Sequence, residues 1–341
     1  MYSIGLDISK ASISVHIPIN SLDLEIDNTN VALKTLYSKL KKLYKKDLDK
    51  LTFVYEPTGS YSFTTKKFCT TKNIKSFIIN PKQSSNFAKA LGNRSKSDKI
   101  DAIMLSKAIT IARADEIRVP IIDDTLETIK EMMSYYKFTV KQRVALSNHQ
   151  EALSCKGGNK YTLRDINKRL KLFRDKEIEI LDKIKEIIES NDKLSITYKN
   201  IQTIPGIGKI AGIVLVHLFI SYPDANKNQI VSLTGLDPII KDSGTSVKSK
   251  SRISKAGIKL YRGSLFMATM VAIKYNGQMK EFYNRLKDNG KHSTVAQIAV
   301  MRKLIVIAHS LYKNNCVYDE NIYNKACGKY TISCDENGII A

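Results

Sequence analysis

The chain has 341 residues, 43% of them hydrophobic, with 55 Lys and Arg against 33 Asp and Glu and a formal net charge of +22. That length builds two or three domains with real cores, and that charge points to a polyanion, since phosphate neutralisation with counterion release is the common use of such an excess. The five cysteines (Cys69, Cys155, Cys316, Cys327, Cys334) show no CxxC pair or metal spacing, the start MYSIGLD lacks a charged leader segment, and the longest apolar stretch, near Ile210 to Ile220, is too short for a bilayer; this argues against a disulfide-framed or membrane protein and for reduced cytosolic thiols. AT-rich coding would also raise lysine and asparagine, so charge alone does not carry a nucleic-acid assignment.

Residues 1–118 alternate strand and helix patterns. Ile4-Gly5-Leu6-Asp7 and Ile13 to Ile17 read as strands joined by the turn Ser9-Lys10-Ala11, and Leu22 to Ile26 alternates as a third. Asn30 is placed to cap a helix with apolar positions Val31, Leu33, Leu36, Leu40 and Leu43. A strand ends at Glu56 before the breaker Pro57-Thr58-Gly59; a helix near Tyr61 to Thr70, a strand Ser76 to Asn80 and a helix opened by Pro81 follow. The order is that of an α/β, ribonuclease-H-like domain with its hairpin strands first.

Four acidic residues stand out in that frame. Asp7 and Glu56 each end an apolar strand, and Asp98 and Asp101 are three apart, so a helix presents them on one face. Hard divalent cations take oxygen ligands, and two ions ~4 Å apart can clamp the attacking and leaving oxygens of a phosphodiester. A bland alternative holds for the last pair alone: Asp98 as a helix cap and Asp101 on a solvated face beside Lys99 and Arg94.

Residues 119–193 have few glycines and long 3.6-residue stripes, one through Leu126, Ile129, Met133, Tyr136 and Val140, another from Leu163 to Ile187. They read as a helical hairpin or coiled coil that breaks at Cys155 to Lys160, and the interruption at Glu177 predicts short pairing rather than a long rod. A spacer or dimerisation arm is the expected role.

Residues 194–341 open with Ile204-Pro205-Gly206-Ile207-Gly208-Lys209, which looks like the turn of a helix-hairpin-helix module. There Gly206, Gly208 and Lys209 would meet a phosphate. A plain tight turn is the alternative. Further on, Lys248, Lys250, Arg252, Lys255 and Arg262 surround a Gly/Ser-rich loop. Cations there would hold a phosphate and ease ionisation of a hydroxyl. From the residues alone, Ser243, Ser246, Ser249, Ser251 and Ser254 are not distinguished, and the reading of the loop as a basic clamp without chemistry is the stronger one. Gln297 to Leu311 is an apolar helix bearing Arg302-Lys303, which either snorkels or reaches a phosphate.

The blocks GLDISK, YEPTGSY, INPKQSSNFAKALGNRSKSDKIDA, IPGIGKIAGIVL, LTGLDPIIKDSG and RISKAGIKLYRGSL occur in this order. Together they closely resemble the insertion-sequence-110 family of DEDD transposases, from Ile4 to about Leu311. The resemblance implies a RuvC-like ribonuclease H fold in 1–118 and a mostly helical transposase domain in 194–341. It makes Asp7, Glu56, Asp98 and Asp101 the ligands of magnesium, as two ions, with manganese able to substitute. It matches Ser243 to the family's nucleophilic serine, which forms a serine–DNA link during strand cleavage, exchange and religation. It implies donor and target DNA and a structured guide RNA as partners, no membrane, and a homo-oligomer that is a dimer, or a tetramer on DNA, in the bacterial cytoplasm. The rival readings are a Holliday-junction-resolvase-like endonuclease, which needs the four acids but no serine, and an inert nucleic-acid-binding relative.

Overall fold

Alternation along the first strand decides what each side of the N-terminal sheet does. In a computed structural model, which describes residues 2–92, 97–239, 242–243, 247–248 and 251–320, the chain forms two compact units divided at Asp123/Asp124. The first begins with β1 (Tyr2–Ile8), β2 (Ser12–Ile17) and β3 (Leu22–Asp27), continues through α1 (Asn30–Tyr44), β4 (Leu51–Tyr55), α2 (Phe63–Lys72) and β5 (Lys75–Ile78), and ends with α3 (Pro81–Ala90) and α4 (Asp98–Lys107). The five strands lie in the order β3-β2-β1-β4-β5; β1, β4 and β5 are parallel, and the β2–β3 hairpin is antiparallel. A mixed sheet in this order is consistent with the RuvC-like domain that the sequence implies.

Even-numbered Ile4, Leu6 and Ile8 of β1 share a core with Leu51, Phe53 and Tyr55 of β4, Leu33, Leu36 and Leu40 of α1, and Phe68 and Cys69 of α2. Odd-numbered Gly5 and Asp7 therefore point to the other side. There Val54, Phe77 and Ile79 of the sheet pack against Leu105 of α4 and its neighbour Ala108. Burial pushes the Cys69 thiol up to about 12, so it is an inert core residue. Among the described cysteines Cys69, Cys155 and Cys316 are all free thiols; Cys327 and Cys334 lie outside the described residues.

Two local expectations need correcting here. Thr29, not Asn30, caps α1: its Oγ accepts from the Ala32 amide at 3.2 Å. A threonine in extended backbone suits the cap as well as asparagine does. Val31 is turned out to solvent, 74% exposed, because at about 100° per residue it falls about 200° around the helix from Leu33, opposite the buried stripe that Tyr44 completes.

The second unit opens with a long hairpin, α5 (Asp124–Ser154) and α6 (Lys160–Glu189). Each runs about 45 Å at 1.5 Å per residue. The pairing is not cut short at Glu177: Arg143 Nε donates to Glu177 Oε1 at 2.6 Å across the two helices, so the polar interruption is a cross-helix ion pair inside a continuous seam. Leu126, Ile129 and Met133 of α5 and Ile180, Ile184 and Ile188 of α6 join the main core of this unit.

That core is completed by α7 (Asp192–Gln202), α8 (Lys209–Ser221), α9 (Lys227–Leu233), the short strands β6 (Pro238–Ile239), β7 (Asp242–Ser243), β8 (Val247–Lys248) and β9 (Arg252–Ile253), then α10 (Lys259–Tyr275), α11 (Gly277–Asp288) and α12 (Ser293–Asn314). Among the described residues α12 alone has the length and apolar character to cross a membrane, but its buried Val300, Leu304, Ile305 and Ala308 belong to the protein core. On it Lys303 Nζ sits 4.3 Å over the Phe282 ring of α11, whereas Arg302 is exposed.

Buried His217 of α8 pairs with Tyr261 of α10, Nδ1 to hydroxyl at 2.9 Å. Burial lowers its pKa to about 4, with Lys130 adding to the shift. The unfolded imidazole takes its proton near 6.5, so below that pH the unfolded chain binds more protons than the folded one. Stability of this unit is full above about pH 6.5 and falls as the pH drops toward 4, by roughly 3 kcal/mol in all. His217→Gln should flatten that slope; denaturant melts at pH 7, 5.5 and 4 measure it.

Candidate active site

The parallel register between β1 and β4 builds the first half of the site. Pairing runs Gly5 to Val54 and Leu6 to Tyr55, and one further step brings Asp7 opposite Glu56, the residue just beyond β4. Paired residues of parallel strands project to the same side, so both carboxylates belong to the face that α4 covers. Both are half-buried, at the carboxyl ends of adjacent strands.

The second half comes from α4. Asp98 and Asp101 occupy its first turn, where negative charge also suits the helix dipole. Asp98 is not the cap: Ser97 Oγ accepts from the Ile100 amide at 3.3 Å. Lys99 does not pair with Asp101 but reaches the sheet edge, its Nζ 2.9 Å from Asp23 Oδ2 of β3. The other Asp23 oxygen lies 2.7 Å from His16 Nδ1 of β2. The His16 ring first, then Lys99, hold the Asp23 carboxyl below its usual range. This three-residue link ties the first turn of α4 to the hairpin strands. Sequence reasoning missed it because its members are 7 and 76 residues apart and leave no local pattern.

Helix and sheet meet at Gly5. A Cβ built there would stand 1.9 Å from the Ala102 carbonyl oxygen and 2.6 Å from the Ser106 amide nitrogen, so the backbone of α4 lies directly on β1 two residues before Asp7. A glycine inside a strand is the one signal that announces such an approach.

Four carboxylates form an all-oxygen donor set of the kind a hard divalent cation takes. The residues fit such an ion in chemistry and in the elements that carry them. Among the described residues, however, no three His, Cys, Asp or Glu side chains are grouped as a metal site would need. The fold therefore places two pairs on one face of the sheet without drawing all four carboxyl groups together.

In the second unit the loop with the candidate serines rises from a braced stem. Pro238 pairs with Ile253 and Ile239 with Arg252. Ser254 Oγ donates to Asp237 Oδ1 at 2.5 Å and also accepts from the Ala256 amide, while the Ser254 amide donates to the Asp237 carbonyl at 2.8 Å. The Ser254 hydroxyl is thus held within the stem. Arg262 Nη1 donates to the Thr234 carbonyl at 3.0 Å, which makes this cation a brace as well. Arg252 and Lys255 are exposed; Lys255 adopts φ +53 and its amide donates to the Gly235 carbonyl.

Ser243 pairs with Val247 in the β7–β8 ladder, one residue before Gly244. Lys250 and Ser246 lie outside the described residues, as does Ser249. In the turn between α7 and α8, Gly206 has φ +106 and packs on Ala272, where a Cβ would fall 2.6 Å from that side chain. Gly208 is the N-cap residue of α8, with no side chain to cap it and open to solvent, and exposed Lys209 lies 3.8 Å from Asp182.

Comparison with known proteins marks the chain as an enzyme that processes DNA, a transposase or recombinase. Two family models match in succession: the DEDD transposase model of the IS110 type over residues 4–153, and that of the "Transposase IS116/IS110/IS902 family" over 198–284. The chain belongs to the IS110 family of transposases. Among curated proteins it is similar to the "Pilin gene-inverting protein" of Moraxella bovis and to that of Moraxella lacunata. Each is 28% identical over 281 residues, covering 80% of this chain and 83% of the relative.

Proposed function

We propose that this transposase cuts, exchanges and rejoins DNA strands through a covalent serine link, with Asp7, Glu56, Asp98 and Asp101 holding magnesium and Ser243 as nucleophile. The observation that carries the reading is the Asp7–Glu56 pair at adjacent strand ends, on the face packed by the helix whose first turn bears Asp98 and Asp101. When bound, divalent ions would polarise the scissile phosphate and neutralise its charge.

The chain's own groups do the rest. Ser243 Oγ forms a bond to phosphorus as the P–O bond to the neighbouring nucleotide breaks. That strand leaves as a free hydroxyl end, taking up a proton as the serine gives one up. The phosphoserine link conserves the phosphodiester energy, so a hydroxyl end from another strand can reverse the step with no nucleotide cofactor. Lys248, Lys250, Arg252 and Lys255 would hold the backbone beside the serine, and Gly206, Gly208 and Lys209 at the α8 N-terminus would hold a second stretch of phosphates. Arg262 serves this site from behind, by bracing the stem.

A structured RNA as guide, donor and target duplexes as substrates, and a dimer or tetramer as the working form complete the proposal. The three-part division 1–118, 119–193 and 194–341 then separates the acids, a helical arm and the serine. DNA inversion by the relatives named above, read from their names, favours strand exchange over the resolvase-like alternative.

The test is a reaction of purified chain with its co-purifying RNA, magnesium and donor and target duplexes, quenched in detergent. A denaturation-resistant protein–DNA adduct whose modified peptide contains Ser243 is expected. Clean hydrolysis, with free ends and no adduct at any time point, would overturn the serine step and favour the endonuclease. Sequencing of co-purified RNA reads guidance separately: one discrete short species is expected, and random fragments would refute it.

A further inference from the structure

Acidic residues are missing from two long stretches of the first unit: none occurs between Asp27 and Asp47, and none between Glu56 and Asp98. The structure shows where the two stretches go. The first forms α1 and the second begins with α2. Both helices pack on the sheet face formed by Ile4, Leu6 and Phe53, and they touch each other through an edge-on contact of Tyr37 with Phe68, centroids 6.0 Å apart. The outer surface of this layer carries Lys34, Lys39, Lys41 and Lys42 of α1 and Lys67 and Lys72 of α2, all exposed. Lys41 stands 5.0 Å over the Tyr37 ring, close to the seam between the helices.

A favourable interaction with the helix dipole accounts for Lys41, Lys42 and Lys72, which lie in last turns, but not for Lys34, Lys39 or Lys67. Lysines held with no carboxylate anywhere on their two helices repel one another, and a polyanion removes that cost. From Lys34 to Lys42 the helix rises about 12 Å, the length of three or four phosphates along one strand of a duplex. Asp7 and Glu56 belong to the opposite face of the same sheet.

We propose that the α1–α2 layer is a second phosphodiester-binding surface, which grips duplex DNA away from the strand being cut. The proposal rests on the reading of this chain as a DNA strand-transfer enzyme and adds an anchor that the acidic face does not provide. Contacts of this kind follow the backbone and carry no base preference. Such a grip holds the flanking duplex while the other face works on its scissile phosphate.

The experiment compares wild type with K34A/K41A/K42A in the full chain, measuring affinity for a 40-base-pair duplex from low to moderate salt. Alanine keeps α1 helical, so folding is preserved. The plot of log affinity against log salt is expected to lose about 0.9 in slope per phosphate contact removed, between one and three contacts in all. K34R/K41R/K42R is expected to restore the wild-type slope. An unchanged slope in the alanine variant overturns the proposal while wild-type binding still stands. A loss seen on an RNA duplex of equal length but absent on DNA overturns it in favour of RNA. If wild type binds neither duplex in a salt-dependent way, it is the underlying reading of the chain that fails.

Discussion

Asp7→Asn is expected to slow strand cleavage about a thousandfold while leaving the fold intact. The substitution keeps the size of the side chain and removes one of the two charges that adjacent strand ends bring together. If the carboxylates hold divalent ions that stabilise the transition state by several kcal/mol, losing about 4 kcal/mol of that effect slows the reaction about a thousandfold. Glu56→Gln should behave alike, since the register makes the two residues equivalent partners. Binding gives a readout independent of turnover. A ligand at a hundred times its dissociation constant raises the stability of the form that binds it by about 2.7 kcal/mol. Magnesium should therefore raise the melting temperature of wild type and leave that of Asp7→Asn nearly unmoved. Equal magnesium shifts in both proteins would show that the ion is held elsewhere.

The same shift bears on how the site assembles. Its two halves ride on different kinds of element, a pair fixed by sheet register and a pair on the first turn of a helix. No three acidic groups are clustered among the described residues, so on the proposed reading an ion would bring Asp98 and Asp101 toward Asp7 and Glu56. The His16–Asp23–Lys99 link limits how far that first turn can travel, because Lys99 lies between the two acids in sequence and is tied to the hairpin edge.

Much of this was legible in the residues. Strand alternation placed Asp7 and Glu56 at strand ends, and the Ser97-Asp98 boundary gave the i,i+3 pair its helix. Legibility failed where partners are distant. Glu177 read as a break because only its own helix was in view, whereas Arg143, 34 residues earlier, completes it. Ser254 stood among five equivalent serines until Asp237 was seen to hold it. Arg262 read as a free cation, yet Thr234, 28 residues before it, takes its guanidinium. Local rules describe a residue's own element; hydrogen bonds between elements depend on the fold that those rules have first to produce.

Gly5 offers the sharpest separation of fold from chemistry. It carries no functional group, and its value lies in the missing Cβ, which lets the α4 backbone rest on β1. Gly5→Ala would put that carbon 1.9 Å from one backbone atom and 2.6 Å from another, neither of which can swing aside as a side-chain tip would. The helix has to lift by more than 1 Å, taking Asp98 and Asp101 with it and opening the contact of Leu105 with Val54 and Phe77. Overpacking of this kind typically costs 1–3 kcal/mol, and a clash against fixed backbone belongs at the top of that range, about 3 kcal/mol. In a unit of this size that lowers the melting temperature by about 10 °C. Activity should fall with it even at temperatures where the unit stays folded, and the magnesium shift should shrink in parallel. Asp7→Asn, by contrast, separates the two readouts, losing activity and the magnesium shift while keeping its melting temperature. A Gly5→Ala protein with wild-type stability and wild-type cleavage would mean that α4 does not sit on β1, and the pairing of the two acidic halves would fall with it.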